Sequence, residues 1–192
     1  SGDVVVVKGK TVVPEEKKVY LAFNKPRGIV CTAEKREKNN VIDYLSYPVR
    51  IYPVGRLDKD SEGLLLMTND GAIVNGIMRA RNRHEKEYQV EVNKEITPEF
   101  LKKMASGVPI LDTVTRPCRI RKTGERSFTI ILTQGLNRQI RRMCEALGYR
   151  VTKLKRVRIM NVHLKDLKTG EYRPLTEKEL AELKKQIGEE KR

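Results

Sequence analysis

GRLDKDSEGLLLMTNDGAIVNGIM, residues 55–78, is the stretch on which the fold turns. Leu64 to Thr68 is an apolar run too short, and too close to Gly63, for a helix, so it reads as a buried strand. Asn69 or Asp70 follows as a helix cap, with Ile73, Val74, Ile77 and Met78 on one face of the helix it opens. Toward the N-terminus, Val19 to Phe23 is a strand running into the turn Asn24-Lys25-Pro26-Arg27-Gly28, and Asn39 to Leu45 is a short helix. Asp3 to Val7 is a strand with no hairpin partner of its own, followed by a charged linker from Pro14 to Lys18. Toward the C-terminus, Glu87 to Val92 alternates as a half-buried strand does, and Cys118 to Arg121 and Ser127 to Thr133 are further strands. Thr97-Pro98-Glu99 opens a helix to Ala105, and Asn137 caps one to Leu147 that Gly148 stops. Val151 to Val162 reads as one long strand, and Thr176 with Glu179 forms a capping box for a last helix burying Leu180, Leu183 and Ile187. Strands mixed irregularly with helices predict an α+β fold: a mixed, largely antiparallel sheet with helices packed on it.

Composition narrows the classes of function. A chain of 192 residues suits one domain, or two subdomains sharing a sheet, with core enough to need no staple. Cys31, Cys118 and Cys144 are widely spaced and odd in number, and His84 and His163 are the two histidines, so neither a disulfide framework, a zinc site nor a serine-type triad is indicated. No apolar run approaches the ~20 residues of a membrane span, and the start has no signal-peptide character. A cytoplasmic monomer without membrane association is expected.

Charge points to the partner. The 40 Lys and Arg against 25 Asp and Glu give a formal net charge of +15, which calls for a polyanion, most commonly nucleic acid. It is concentrated between Asn137 and Met160, where Arg138, Arg141, Arg142, Arg150, Lys153, Lys155, Arg156 and Arg158 face a single acid, Glu145. Solvated helix and strand faces are the plain alternative. A membrane-surface helix fits poorly, because the apolar face is small and has no Trp or Phe anchor.

Two constellations carry chemistry. In Gly55-Arg56-Leu57-Asp58-Lys59-Asp60-Ser61-Glu62-Gly63, a carboxylate sits between two cations on a loop entering a buried strand, which suits an ionised catalytic group. A turn with surface ion pairs has the same composition. In Gly135-Leu136-Asn137-Arg138-Gln139-Ile140-Arg141-Arg142-Met143, Ile140, Met143, Cys144 and Leu147 form the apolar face of a helix, with Arg138, Arg142 and Glu145 opposite. Arg141 falls on the seam, where a guanidinium either holds a partly buried carboxylate bidentately or snorkels along the core edge.

These residues, with Lys86-Glu87-Tyr88, Asn24-Lys25-Pro26-Arg27-Gly28 and the basic strand Lys153 to Ile159, occur in the order seen in RsuA-like pseudouridine synthases. The resemblance covers roughly Tyr20 to Leu175. His84 to Val92 and Gly107 to Thr115 look most like the RluF branch, which acts on large-subunit rRNA. It implies the pseudouridine synthase fold, two subdomains around a catalytic cleft, and isomerisation of uridine to pseudouridine in ribosomal RNA without a cofactor. The substrate it implies is 23S rRNA, with 16S rRNA or tRNA as alternatives.

By the same resemblance Asp58 is the essential carboxylate, Tyr88 packs against the uracil and Arg141 pairs with the aspartate. Arg56 fills the gap left by the flipped base. RNA contact extends to Leu57, Lys59, Asn137, Arg138, Gln139, Ile140, Arg142, Lys153, Arg156 and Arg158. Gly2 to Val13 resembles the last strand of the family's S4-like RNA-binding domain, so residues 1–16 are expected to be a remnant and linker, and 17–192 the catalytic domain. A glycosylase, separable by release of free uracil, and a non-catalytic RNA-binding module are the competing readings. With 5% aromatics and no Trp, a stacking platform for single strands is poorly supported.

Overall fold

The computed structural model describes residues 17–189, together with backbone at 5–7 and 10–12. The elements run β1 (Val5–Val7), β2 (Lys10–Val12), β3 (Tyr20–Lys25), α1 (Val41–Leu45), β4 (Tyr52–Pro53), β5 (Glu62–Thr68), α2 (Gly71–Arg79) and β6 (Lys86–Val92). They continue as α3 (Pro98–Ser106), β7 (Pro109–Ile110), β8 (Thr113–Val114), β9 (Arg119–Gly124), β10 (Ser127–Leu132) and α4 (Gln139–Ala146). The last are β11 (Val151–Ile159), β12 (Val162–His163), β13 (Tyr172–Pro174) and α5 (Glu177–Glu189).

Nine strands make one sheet in the order β13-β3-β5-β11-β6-β10-β9, with β4 on β5 and β12 on β11. All its pairings are antiparallel except β5 with β11, which is parallel through Lys155↔Glu62 and Arg156↔Gly63. That seam divides the molecule. On the β3–β5 side the sheet is covered on both faces, so β5 is buried from Gly63 onward. Its Leu64 and Leu66 pack with Ile73, Leu183 and Ile187 of α2 and α5, while Leu65 and Met67 pack with Val41 and Leu45 of α1. Beyond the seam, Val90, Phe128, Ile130 and Leu154 pack with Phe100 and Met104 of α3 and Ile140 and Met143 of α4. Gln89 and Glu91, on the other face of β6, are exposed.

Local signals set most helix starts. The Asp70 carboxylate accepts from the N–H groups of Ala72 and Ile73 and caps α2, whereas Asn69 Oδ1 accepts from Val19 N at 2.8 Å. Thr97 caps α3 with Pro98 in its first turn. The α5 capping box closes through Thr176 N to Glu179 Oε1 at 2.8 Å and Glu179 N to Thr176 Oγ1 at 3.1 Å.

The start of α4 differs from expectation. Its cap position is Arg138, in the left-handed conformation at φ 48°, and the Asn137 side chain instead accepts from Arg142 Nη2 at 2.9 Å. The left-handed residue carries the guanidinium of Arg138 to an ion pair with Asp60, a tertiary demand invisible in the local pattern. The long strand expected over Val151 to Val162 is two. Met160 adopts φ 54° and the chain reverses so that Ile159 pairs with Val162. The N-terminal strand has a hairpin partner after all, since Val5–Val7 pairs with Lys10–Val12. The remainder of the expected S4-like segment, with most of its linker, lies outside the described residues. β4, β7, β8 and β13, of two or three residues, are too short to show an alternation.

Candidate active site

The loop from Gly55 to Ser61 is tied down on every side. Leu57 is 7% exposed and packs into the α1 core, which anchors the loop from beneath. Gly28 N donates to Lys59 O at 2.7 Å, and Ser61 N donates to Asp58 O at 3.0 Å. Lys25, fully buried, donates through Nζ to the carbonyls of Pro26 and Ile29 at 2.8 Å each and of Lys59 at 3.5 Å. The turn 26–29 and the Asp58 loop are thus laced together through one ammonium. Arg56 and Lys59 are exposed, and the Asp58 side chain keeps 34% of its surface accessible.

Two arginines approach from the start of α4. Arg138 grips the Asp60 carboxylate with Nη1 and Nη2 at 3.1 Å each, and its Nη1 lies 3.5 Å from Asp58 Oδ2. Arg141, buried, donates through Nη2 to Asp60 O at 3.0 Å and Ser61 Oγ at 3.1 Å, with Nη1 3.6 Å from Asp60 Oδ2. Its Nε is buried and has no hydrogen-bond partner. The hydrogen bonds from Arg138 hold the Asp60 carboxyl below its ordinary range, and that contact raises the Arg138 guanidinium in return. Burial pulls Arg141 down, with Asp60 opposing it.

The floor is electropositive. Arg156 is 7% exposed and donates through Nε to Leu64 O at 2.9 Å and through Nη1 to Arg56 O at 3.4 Å. Tyr88 lies directly opposite Arg156 in the sheet, so both side chains share a face and Arg156 bridges the tyrosine strand to the Asp58 loop. Lys86 donates to the carbonyls of Arg81 and Thr133. Burial pushes the Lys25 and Lys86 ammonium groups down to about 8 each; nearby Cys31 and Asp58 pull Lys25 back up, while Arg156 pushes Lys86 further down. Lys25, Lys86 and Arg156 find carbonyl oxygens rather than carboxylates, so their positive potential is left for Asp58 or an anionic ligand. Among the described residues no group of three His, Cys, Asp or Glu converges to hold a metal ion.

The family model for RNA pseudouridylate synthases matches residues 19–146, which span this loop, Tyr88 and the arginine helix. The chain belongs to that family. It is 54% identical over 189 residues to the dual-specificity RNA pseudouridine synthase RluF of Salmonella typhi, an alignment taking in 97% of this chain and 65% of that protein. The chain therefore spans about two thirds of the length of that relative, just under it. It is 36% identical to the ribosomal large subunit pseudouridine synthase B of Bacillus subtilis, over 95% of this chain and 78% of that one. A crystal structure of a pseudouridylate synthase superposes with a TM-score of 0.81 at 30% identity, covering 90% of this chain and 76% of the other.

Within this site, several expected contacts move. Arg141 does not hold Asp58; it holds the Asp60 backbone and Ser61, and Arg138 is the cation beside Asp58. The helix begins one residue late with Arg138, still exposed, turned toward the Asp58 loop, so the residue assigned to the outer face reaches the loop first. Leu57, Gln139 and Ile140 are 7%, 5% and 4% exposed and serve packing or the helix start, not an RNA surface. Gln139 Oε1 accepts from Leu136 N at 3.2 Å. Arg156 is buried, its guanidinium taken up by the carbonyls of Leu64 and Arg56, and beyond a register shift in β11 Arg158 is bound to Glu85 and Glu87 at 3.2 and 3.1 Å. Asn137, Arg142 and Lys153 stay accessible at least in part. Lys25, Asp60, Ser61 and Lys86 were missed. A signal existed for Lys25, which follows Leu21 and Phe23 at alternate positions of β3 and so faces the α1 core with them.

Proposed function

We propose that the protein isomerises uridine to pseudouridine in ribosomal RNA, with a site in 23S rRNA as substrate and Asp58 as the essential carboxylate. The observation that carries this is an accessible carboxylate with Arg138 at 3.5 Å on a loop fixed from several sides, in a chain of this family. The large-subunit naming of the Bacillus subtilis relative supports 23S rRNA. The reaction breaks the N1–C1′ bond, turns the base and joins C5 to C1′, so no atom is gained or lost and no cofactor is required. Asp58 acts at the sugar, as nucleophile at C1′ or as base toward a sugar proton, and either role needs an exposed anion. Arg138 supplies positive charge beside it, and Arg141 positions the loop through Asp60 and Ser61. Tyr88 offers its ring to the uracil. The glycosidic bond is shielded in a stacked helix, so the base must flip out, and exposed Arg56 is placed to occupy the gap. Residues 17–192 form the catalytic domain in this reading, with residues 1–16 leading from an S4-like part.

Asp58→Asn is expected to abolish pseudouridine formation on a 23S rRNA transcript while leaving RNA affinity within about threefold. Residual turnover within tenfold of wild type, about 1.4 kcal/mol in the barrier, would overturn the assignment. Release of free uracil would instead make the protein a glycosylase.

A further inference from the structure

A groove of about 450 Å³ runs along the last turn of α2, lined by Asn75, Met78, Arg79, Arg81 and Asn82. It touches both loops that build the site. Met78 Sδ lies 3.6 Å from where a Cβ on Gly55 would stand, so one wall abuts the loop that carries Asp58. Asn82 Oδ1 accepts from Gly135 N at 3.0 Å, so the other wall abuts the loop that ends at Arg138.

The arginine-bearing turn is held rather than loose. Lys86 Nζ donates to the carbonyls of Arg81 and Thr133, which clamps the turn to the end of β10. Arg116 donates a guanidinium N–H to Asn82 O and its backbone N–H to Gln134 Oε1 at 2.8 Å. Arg79 and Arg81 themselves are exposed, and among the described residues no carboxylate lies within ion-pairing distance of either. Glu85, the nearest acid in sequence, is occupied by Arg119 and Arg158. Two guanidinium groups with no carboxylate partner, one ending α2 and one on the turn that follows, suit a phosphate, since such groups grip phosphate oxygens in a planar fork.

We propose that this groove is a phosphate tract holding the RNA strand next to the flipped uridine, with Arg79 and Arg81 as its contacts. This rests on the uridine-isomerase reading. Flipping rotates a nucleotide out about its own backbone, so the neighbouring phosphates must be fixed for the base to stay in the site. The contacts read charge and position, not base identity.

The test measures affinity against salt and single-turnover kinetics on an unmodified 23S rRNA transcript. Arg79→Ala/Arg81→Ala should raise KM about tenfold near physiological salt and flatten the slope of log affinity against log salt by roughly one to two units. The rate at saturating RNA should stay within twofold, and Arg79→Lys/Arg81→Lys should recover most of the slope. Lys102→Ala/Lys103→Ala, which removes the same charge from exposed positions of α3, should leave the slope alone. A wild-type slope in the arginine variant, an equal loss in the lysine variant, or a tenfold fall in saturating rate with KM unchanged would each overturn the proposal. Repeating the salt series on Asp58→Asn separates the two ideas. Turnover retained by that variant defeats the assignment of Asp58, and release of free uracil by the wild type defeats the isomerase reading, whereas the slope reports the tract in every case.

Discussion

Arg138 and Arg141 stand three residues apart beside one loop, and their surroundings give them different work. Arg138 is exposed and acts through its charge on Asp58 and Asp60, whereas Arg141 is buried and acts through hydrogen bonds to Asp60 O and Ser61 Oγ. Arg138→Met is therefore expected to change stability by less than about 1 kcal/mol, the range of exposed ion pairs, while slowing single turnover severely. Arg141→Met should cost about 1–3 kcal/mol, because it strands buried acceptors, as well as activity. Urea denaturation of both variants checks the ordering, and a larger loss in Arg138→Met would reverse the assignment. Away from the site, Glu179 accepts from Arg173 Nη1 and Nη2 at 2.7 and 2.9 Å, and this holds its carboxyl down to about 2 against an ordinary 4.5. A depressed folded value means the pair stabilises fully above the unfolded value and is lost as pH falls toward 2. Glu179→Gln should be less stable near neutrality by about 1–3 kcal/mol and should show a shallower stability loss between pH 4.5 and 2. Parallel wild-type and variant curves across that window would refute the linkage.

At the scale of elements, the parallel β5–β11 seam is the most demanding contact. Gly63 has φ +109°, and a Cβ there would stand 2.2 Å from Arg156 O, a backbone atom of the facing strand. Gly63→Ala must therefore part the strands, and with them the bonds by which Arg156 reaches Leu64 O and Arg56 O. The expected loss is on the order of 3 kcal/mol or more, since backbone strain and displaced packing add. Thermal melts would show it, and a Tm within about 2 °C of wild type would mean that the seam tolerates a methyl group. Helix placement follows similar local logic. Gly76 of α2 lets Ile187 of α5 pack against the helix backbone, where a Cβ would meet Ile187 Cγ2 at 2.3 Å.

At the scale of the whole molecule, the basic stretch 137–160 does two kinds of work. Lys153 is half-exposed, with its nearest carboxylates, of Glu62 and Glu91, at 4.0 Å, which leaves it open to phosphate. Arg156 is buried and structural. Lys153→Ala is expected to flatten the salt slope of RNA affinity by about one unit while changing stability by less than about 0.5 kcal/mol. Arg156→Ala should leave the slope unchanged and destabilise the fold by about 1–3 kcal/mol. If Arg156→Ala moved the slope and Lys153→Ala did not, β11 would present its other face to RNA.

Local chemistry sufficed where a signal and its consequence lie within a few residues. Asp70, Thr97 and the Thr176–Glu179 box cap their helices because a side-chain oxygen meets an N–H two or three positions on. The apolar run Leu64–Thr68 had to be a strand buried on both faces, and the order of motifs pointed to the family. What remained open was decided by partners distant in sequence. Whether an arginine in 137–160 faces solvent, a carboxylate or a carbonyl depends on which strand lies beside it, and β11 meets β5 across 92 residues at the Arg156 Nε–Leu64 O bond. The same holds for Arg138, which leaves helical geometry because Asp60, 78 residues earlier, is there to receive it. Periodicity records which side of an element a residue is on; only the packed chain says what waits on that side.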